Sequence, residues 1–106
     1  MGQLHYDHIT FEIEDRLLTH LQIVIIQKAR RRDGFMLTFP LDERGVATSN
    51  TIWINHGSRL HFAFNGSRHP EVNKRWLETL MESSNSTTGL DLGRVPEPVA
   101  GELSTA

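Results

Sequence analysis

The chain has 106 residues, 38% hydrophobic and 23% charged, with no cysteine and a formal net charge of −2. That length suits one domain with a modest core, and the composition excludes a wholly disordered chain. The absence of cysteine excludes a disulfide scaffold and any thiolate-ligated zinc or iron–sulfur site. No apolar run approaches the roughly 20 residues of a bilayer span; the longest are Ile23-Val24-Ile25-Ile26 and Phe35-Met36-Leu37. The opening Met-Gly-Gln-Leu-His-Tyr-Asp lacks the basic start and apolar stretch of a secretory signal. Tyr6 also stands where a myristoylation motif has Ser or Thr. A cytoplasmic domain without membrane contact is therefore expected. The two excess acidic charges equal in number Glu97 and Glu102, so residues 1–95 balance. A nucleic-acid role would have to rest on local clusters rather than overall basicity.

Ile9, Phe11 and Ile13 alternate with polar residues, the period of a half-buried strand. Gln3–Tyr6 precedes them, so a tight hairpin across Asp7-His8 is the economical arrangement. Glu14 or Asp15 can cap a helix running to about Arg31, with Leu17, Leu18, Leu21, Val24 and Ile25 on its buried face. Each such residue, fully buried, is worth roughly 1.5–3 kcal/mol, which makes this helix the largest expected contributor to the core. Gly34 suits its stop.

Phe35, Leu37 and Phe39 alternate again, with Pro40 as the expected strand end and Leu41–Asn50 as a polar connection. Ile52 and Ile54 share one face of a further strand, and Thr51 and Trp53 the other. After a turn at Gly57-Ser58, Leu60, Phe62 and Phe64 make a last clear strand. Pro70 is placed to begin a second helix, whose stripe is Val72, Trp76, Leu77, Leu80 and Met81. Leu90 and Leu92 suit a short edge strand. The order is ββαβββα, and short connections favour antiparallel neighbours. We expect an α+β two-layer sandwich over residues 1–92, with a mainly antiparallel sheet, both helices on one face, and a disordered tail over 93–106.

Lys28-Ala29-Arg30-Arg31-Arg32 is the densest charge feature. Cations there complement the helix macrodipole, or they form a phosphate-contacting patch. Arg68, Lys74 and Arg75 would extend such a patch, as would Arg59, if they share a face. Arg68 also stands where the loop 65–69 would meet the free N–H groups of the second helix. Arg31-Arg32-Asp33-Gly34 resembles the Lys-x-Asp-Gly of nucleotidyltransferases, but Arg31 holds the place of the nucleophilic lysine. A guanidinium stays protonated and is a poor nucleophile, so covalent adenylation is not credible here.

Six histidines show no ligand pair at helical spacing, and no nucleotide phosphate loop or nucleophile elbow occurs. We therefore expect no metal, no cofactor and no catalytic residue. Trp76 belongs to the core stripe. Trp53 faces opposite Ile52 and Ile54; turned outward beside His61 and Ala63, it would make an aromatic platform for bases or a second subunit.

Several ordered pieces carry a family resemblance: Asp15-Arg16, His20-Leu21-Gln22, Val24-Ile25, Lys28 with Arg30-Arg31, and Thr51-Ile52-Trp53-Ile54. Gly66-Ser67-Arg68 with Pro70, Asn73 with Trp76, Glu78 with Leu80-Met81, Ser84-Asn85-Ser86, Gly89-Leu90 and Val95-Pro96-Glu97-Pro98 follow in order. On these the chain, to about residue 98, resembles a small actinobacterial family catalogued as a domain of unknown function. Many members of that family carry the label "ATP-dependent DNA ligase". Its relatives read Gly-Glu at Arg32-Asp33 and a proline-containing segment at Asn55–Arg59, so this chain is locally more basic. The resemblance implies no catalytic residues, and at most a small domain that accompanies nucleic-acid enzymes. The expected function is a non-enzymatic accessory module that binds nucleic acid through Lys28, Arg30, Arg31, Arg32, Arg68, Lys74 and Arg75. The alternative is a protein–protein or homodimer module built around Trp53 and His61. An enzyme would instead need a pocket holding a titratable pair.

Overall fold

A computed structural model describes residues 2–7, 9–43, 45–66 and 70–98. Its elements are β1 (Gly2–Tyr6), β2 (Ile9–Ile13), α1 (Asp15–Arg30), β3 (Phe35–Glu43), β4 (Val46–Ile54), β5 (Leu60–Ala63), α2 (Lys74–Ser84) and β6 (Leu90–Asp91). A 3-10 turn, Leu92–Arg94, follows. The α+β class and the expected order hold, but the six strands form two three-stranded sheets, β2-β1-β5 and β4-β3-β6. Contacts group the chain into two units, Met1–Gly34 with Ile54–Asn73 and Phe35–Trp53 with Lys74–Ala106.

In the first unit β1 and β2 form the expected hairpin, with Tyr6 opposite Ile9 and Gly2 opposite Ile13. Its turn carries Asp7 at φ 53, a left-handed conformation that Asp tolerates better than most residues. The other edge of β1 pairs antiparallel with β5, Leu4 opposite Phe62 and His5 opposite His61. This differs from the expected neighbour of β5, the strand immediately before it. Asn55 redirects the chain: its carbonyl accepts from Ser58 N–H at 3.0 Å and its side-chain Oδ1 from Gly57 N–H at 2.8 Å. Leu4, Phe11, Ile13, Leu18, Leu21, Val24 and Ile25 are buried. Helix α1 lies so close to the sheet that a Cβ on Gly2 would stand 2.6 Å from both Leu18 Cδ2 and Asp15 Oδ1. Glycine is required at that approach.

The ends of α1 depart from expectation. Glu14 occupies the N-cap position without a side-chain cap bond; the neighbouring Asp15 Oδ1 accepts from Asn65 N–H at 3.3 Å. At the other end the stop is Arg32, at φ 57, rather than Gly34. Arg32 N–H bonds the Ala29 carbonyl at 3.0 Å and Asp33 N–H the Lys28 carbonyl at 2.9 Å. This is the paired closure of a Schellman motif, with arginine where glycine is usual.

In the second unit Phe35, Leu37 and Phe39 are buried, and β3 runs on through Pro40 to Glu43. The expected polar connection is therefore a hairpin. The strand tolerates proline because β6 pairs only with Leu37 and Thr38, in parallel, leaving that side of β3 without a ladder partner beyond them. Helix α2 covers this sheet with Trp76 and Leu80, 5% and 0% exposed. Trp76 Nε1 donates to the Val95 carbonyl at 2.8 Å. The helix starts at Lys74 rather than Pro70, and Val72 is exposed. The boundary expected at residue 92 falls inside the 3-10 turn, where Asp91 Oδ1 accepts from Gly93 N–H at 3.0 Å. Val95 beyond it is buried; residues 99–106 lie outside the described residues.

A side chain held in the left-handed region costs about 1 kcal/mol relative to glycine, partly offset by the greater freedom of unfolded glycine. Arg32→Gly should therefore stabilise the domain by about 0.5 kcal/mol and raise the thermal midpoint by roughly 2–4 °C. Calorimetry of the two proteins checks this.

Candidate functional site

The basic cluster is smaller in space than in sequence. Lys28 is 4% exposed and drops out of any solvent-facing patch, because it lies on the buried side of α1 with Val24 and Leu21. Arg30, Arg31 and Arg32 are exposed. The left-handed turn at Arg32 breaks the helical path there, so the three guanidinium groups follow no single helical face. Arg68 lies outside the described residues. Helix α2 begins six positions after it, so the loop 65–69 does not open directly onto a helix N-terminus. Lys74 and Arg75 are exposed on the first turn of α2, in the second unit. Of the run Lys28–Arg32, the charged residues exposed to solvent are Arg30, Arg31 and Arg32.

The histidines divide sharply. His20 is fully buried: its Nδ1 donates to the Arg16 carbonyl at 2.7 Å and its Nε2 accepts from Asn73 N–H at 2.8 Å. An N–H pointing at Nε2 requires that nitrogen to be the acceptor, which places the ring proton on Nδ1. Arg16 adds a second tie, its guanidinium donating to the Glu71 carbonyl at 3.0 Å. With the Asp15–Asn65 bond, the first turn and a half of α1 thus holds Asn65, Glu71 and Asn73.

His5 and His61 face each other across β1 and β5 with ring centroids 5.2 Å apart, edge to face. His5 Nδ1 lies 2.9 Å from Thr10 Oγ1. These rings, with Asp7, Ser58 and Arg59, line an open depression of about 760 Å³. A second depression, about 540 Å³, is lined by Thr38, Glu82, Ser86, Asp91 and Arg94 among others. Among the described residues no group of three His, Asp or Glu is placed to hold a metal.

Trp53 is 49% exposed, while Ile52 and Ile54 on the opposite face of β4 are 9% and 2% exposed. Of the two alternatives that alternation leaves open, Trp53 is the outward one, but the platform with His61 and Ala63 is not formed within one sheet. His61 and Ala63 lie on β5, in the sheet of β1, whereas Trp53 shares its sheet with β3. On the same face of β4 as Trp53 stands Thr51, and on β3 the exposed Met36 (38%) shares a face with Thr38. The Thr38 and Thr51 hydroxyls meet at 2.8 Å.

Sequence reasoning missed that β4 is a nine-residue strand and the outer one of its sheet. Its first half, Val-Ala-Thr-Ser-Asn, alternates too weakly to announce a strand, because neither of its faces is buried.

Residues 1–97 match the family model DUF7882, a domain of unknown function. The chain belongs to this family. The DUF7882 match extends over both sheets, both helices and the closing 3-10 turn with Val95. No curated protein and no solved structure matches the chain. No helix among the described residues is long and apolar enough to cross a membrane.

Replacing His20 by Phe keeps an aromatic ring but strands Asn73 N–H without its acceptor. A buried donor left unsatisfied costs about 1–3 kcal/mol. His20→Phe should lower the urea midpoint accordingly with an unchanged m-value, as read by far-UV circular dichroism.

Proposed function

We propose that this DUF7882 domain is a non-enzymatic interaction module that takes a protein partner on the outer edge of β4, around Trp53. One observation carries the reading: β4 is an outer strand of nine residues, without charge, proline or glycine, bearing a half-exposed tryptophan. Sheet edges are ordinarily guarded by lysine, proline, bulges or brevity, because their free N–H and C=O groups invite pairing. β4 has none of these guards along its length. Tryptophan is also among the residue types that concentrate binding energy at interfaces.

A second reading rests on Arg30, Arg31 and Arg32, all exposed at the end of α1. These side chains suit a polyanion, and the ligase label carried by resembling sequences favours nucleic acid as that polyanion. Lys74 and Arg75 would add to the patch only by sharing a face with it. The macrodipole accounts equally well for cations at a helix C-terminus, which is why the edge of β4 leads.

Random peptides displayed and selected against the domain should converge on extended, β-branched sequences. Their binding should be lost with Thr51→Lys and weakened about tenfold or more by Trp53→Ala. Selected binders indifferent to both substitutions would put the interaction surface elsewhere.

For the arginine reading, three phosphate contacts predict that log K for duplex DNA falls with log salt at a slope of about −3. Arg30→Ala with Arg31→Ala should bring that slope to about −1. Absence of binding at low salt, or a slope unchanged by the substitutions, would remove nucleic acid from consideration.

A further inference from the structure

We propose that the depression lined by His5, His61 and Arg59 binds a dianionic phosphoryl group, as carried by a small phosphate monoester. All of its lining residues belong to the first unit, and none comes from β4. The register of β1 on β5 sets His5 opposite His61, and residues directly opposite on paired strands share a face. The two imidazoles accordingly meet edge to face, their centroids 5.2 Å apart. Thr10 Oγ1, 2.9 Å from His5 Nδ1, holds one of the rings. A hydroxyl both donates and accepts, so His5 can carry its proton on Nε2 without losing that bond. Arg59 enters the same depression from an anchored turn. Just before it, Ser58 N–H donates to the Asn55 carbonyl at 3.0 Å, and Ser58 Oγ accepts from Asn55 N–H at 3.0 Å. Just after it, Leu60 and His61 are paired with β1.

The donors so placed have no other task. The Arg59 guanidinium forms no hydrogen bond or ion pair with a described residue, although the Asp7 carboxylate lines the same depression. Both ring nitrogens of His61, and Nε2 of His5, are likewise without a hydrogen bond to a described residue. The charge of the lining gives the sign of the ligand. Arg59 and Asp7 cancel, and each imidazole is neutral or cationic, so the sum is never negative. A metal cation finds no group of three ligating side chains among the described residues, and Arg59 would repel it. An anion finds the planar guanidinium fork that suits phosphate oxygens, with two imidazoles able to donate from neighbouring strands. A planar carboxylate is satisfied by the fork alone, whereas a tetrahedral phosphoryl group has further oxygens for the two rings. The depression, about 760 Å³, falls within the roughly 300–1,000 Å³ of small-molecule sites, which leaves room for the organic part of a monoester.

Imidazole and amide 15N NMR of the full chain, titrated with inorganic phosphate at fixed pH and ionic strength, tests the proposal. The ring nitrogens of His5 and His61 should shift together and saturate below about 10 mM, and acetate at the same concentrations should leave them in place. Arg59→Ala should weaken binding about tenfold or more, with the amide spectrum of α1 unchanged as the check on folding. Asp7→Asn should tighten it, because a carboxylate at the rim repels the ligand. Shifts that do not saturate, that acetate reproduces, or that survive Arg59→Ala would overturn the site. Weaker binding in Asp7→Asn would overturn the assignment of an anion. Methyl phosphate binding at least as tightly as inorganic phosphate supports the monoester; its exclusion would overturn the monoester in favour of free phosphate.

Discussion

The buried imidazole of His20 is the interaction on which the arrangement of the first unit depends. It lies one turn into α1 and satisfies two backbone groups far apart in the sequence, the Arg16 carbonyl and the Asn73 N–H. Neither nitrogen has capacity left over, so the ring acts as a fixed strut. Arg16 and Asp15, on the preceding turn, tie down Glu71 and Asn65 in the same way. The stretch 70–73 has no regular secondary structure to supply its hydrogen bonds, and buried or half-buried backbone must find partners somewhere. His20 and Arg16 provide two of them, at the Asn73 N–H and the Glu71 carbonyl.

Much of this architecture is legible in the residues. The β1–β2 hairpin follows from alternation on either side of Asp7-His8, and α1 from the spacing of Leu18, Leu21, Val24 and Ile25, all of which are buried. Trp76 reads correctly as core, whereas alternation alone leaves open whether Trp53 or the pair Ile52 and Ile54 faces outward. Pairing of strands is where periodicity carries no information: nothing in Leu60–Ala63 distinguishes a place beside β4 from one beside β1. Local punctuation also misleads where the partner strand is short. Pro40 would end a strand bonded on both sides, but β6 stops before reaching it. Gly34 would end a helix, yet Arg32 does so two residues earlier at some cost in strain. Asp15, Arg16, His20 and Asn73 are visible as pieces of a family resemblance. Their common task appears only once the helix and the loop are set side by side.

The two readings of function differ in what the residues already have to do. Each arginine at the end of α1 has a ready structural purpose, since cations there offset the partial negative charge of the unsatisfied carbonyls. Burial of Lys28 takes one charge from the cluster and assigns it to the interior. The outer half of β4 has no comparable duty. Val46 through Ser49 are exposed, and the strand would serve the sheet equally well with lysine or glutamate at Ser49. A charge-free edge is a cost in aggregation risk, and that cost is offset when the edge is occupied.

Each unit is assembled from two stretches of chain, and the stretches alternate: residues 1–34, then 35–53, then 54–73, then the remainder. There is consequently no point at which the chain can be divided into two self-sufficient halves. A fragment ending at residue 53 would leave β1 without β5 and β3 without β6 and α2, while one beginning at 54 would carry β5, α2 and β6 with no sheet to receive them. Such a fold cannot be halved or traded piecemeal between genes. Recombination must carry the domain whole or lose it.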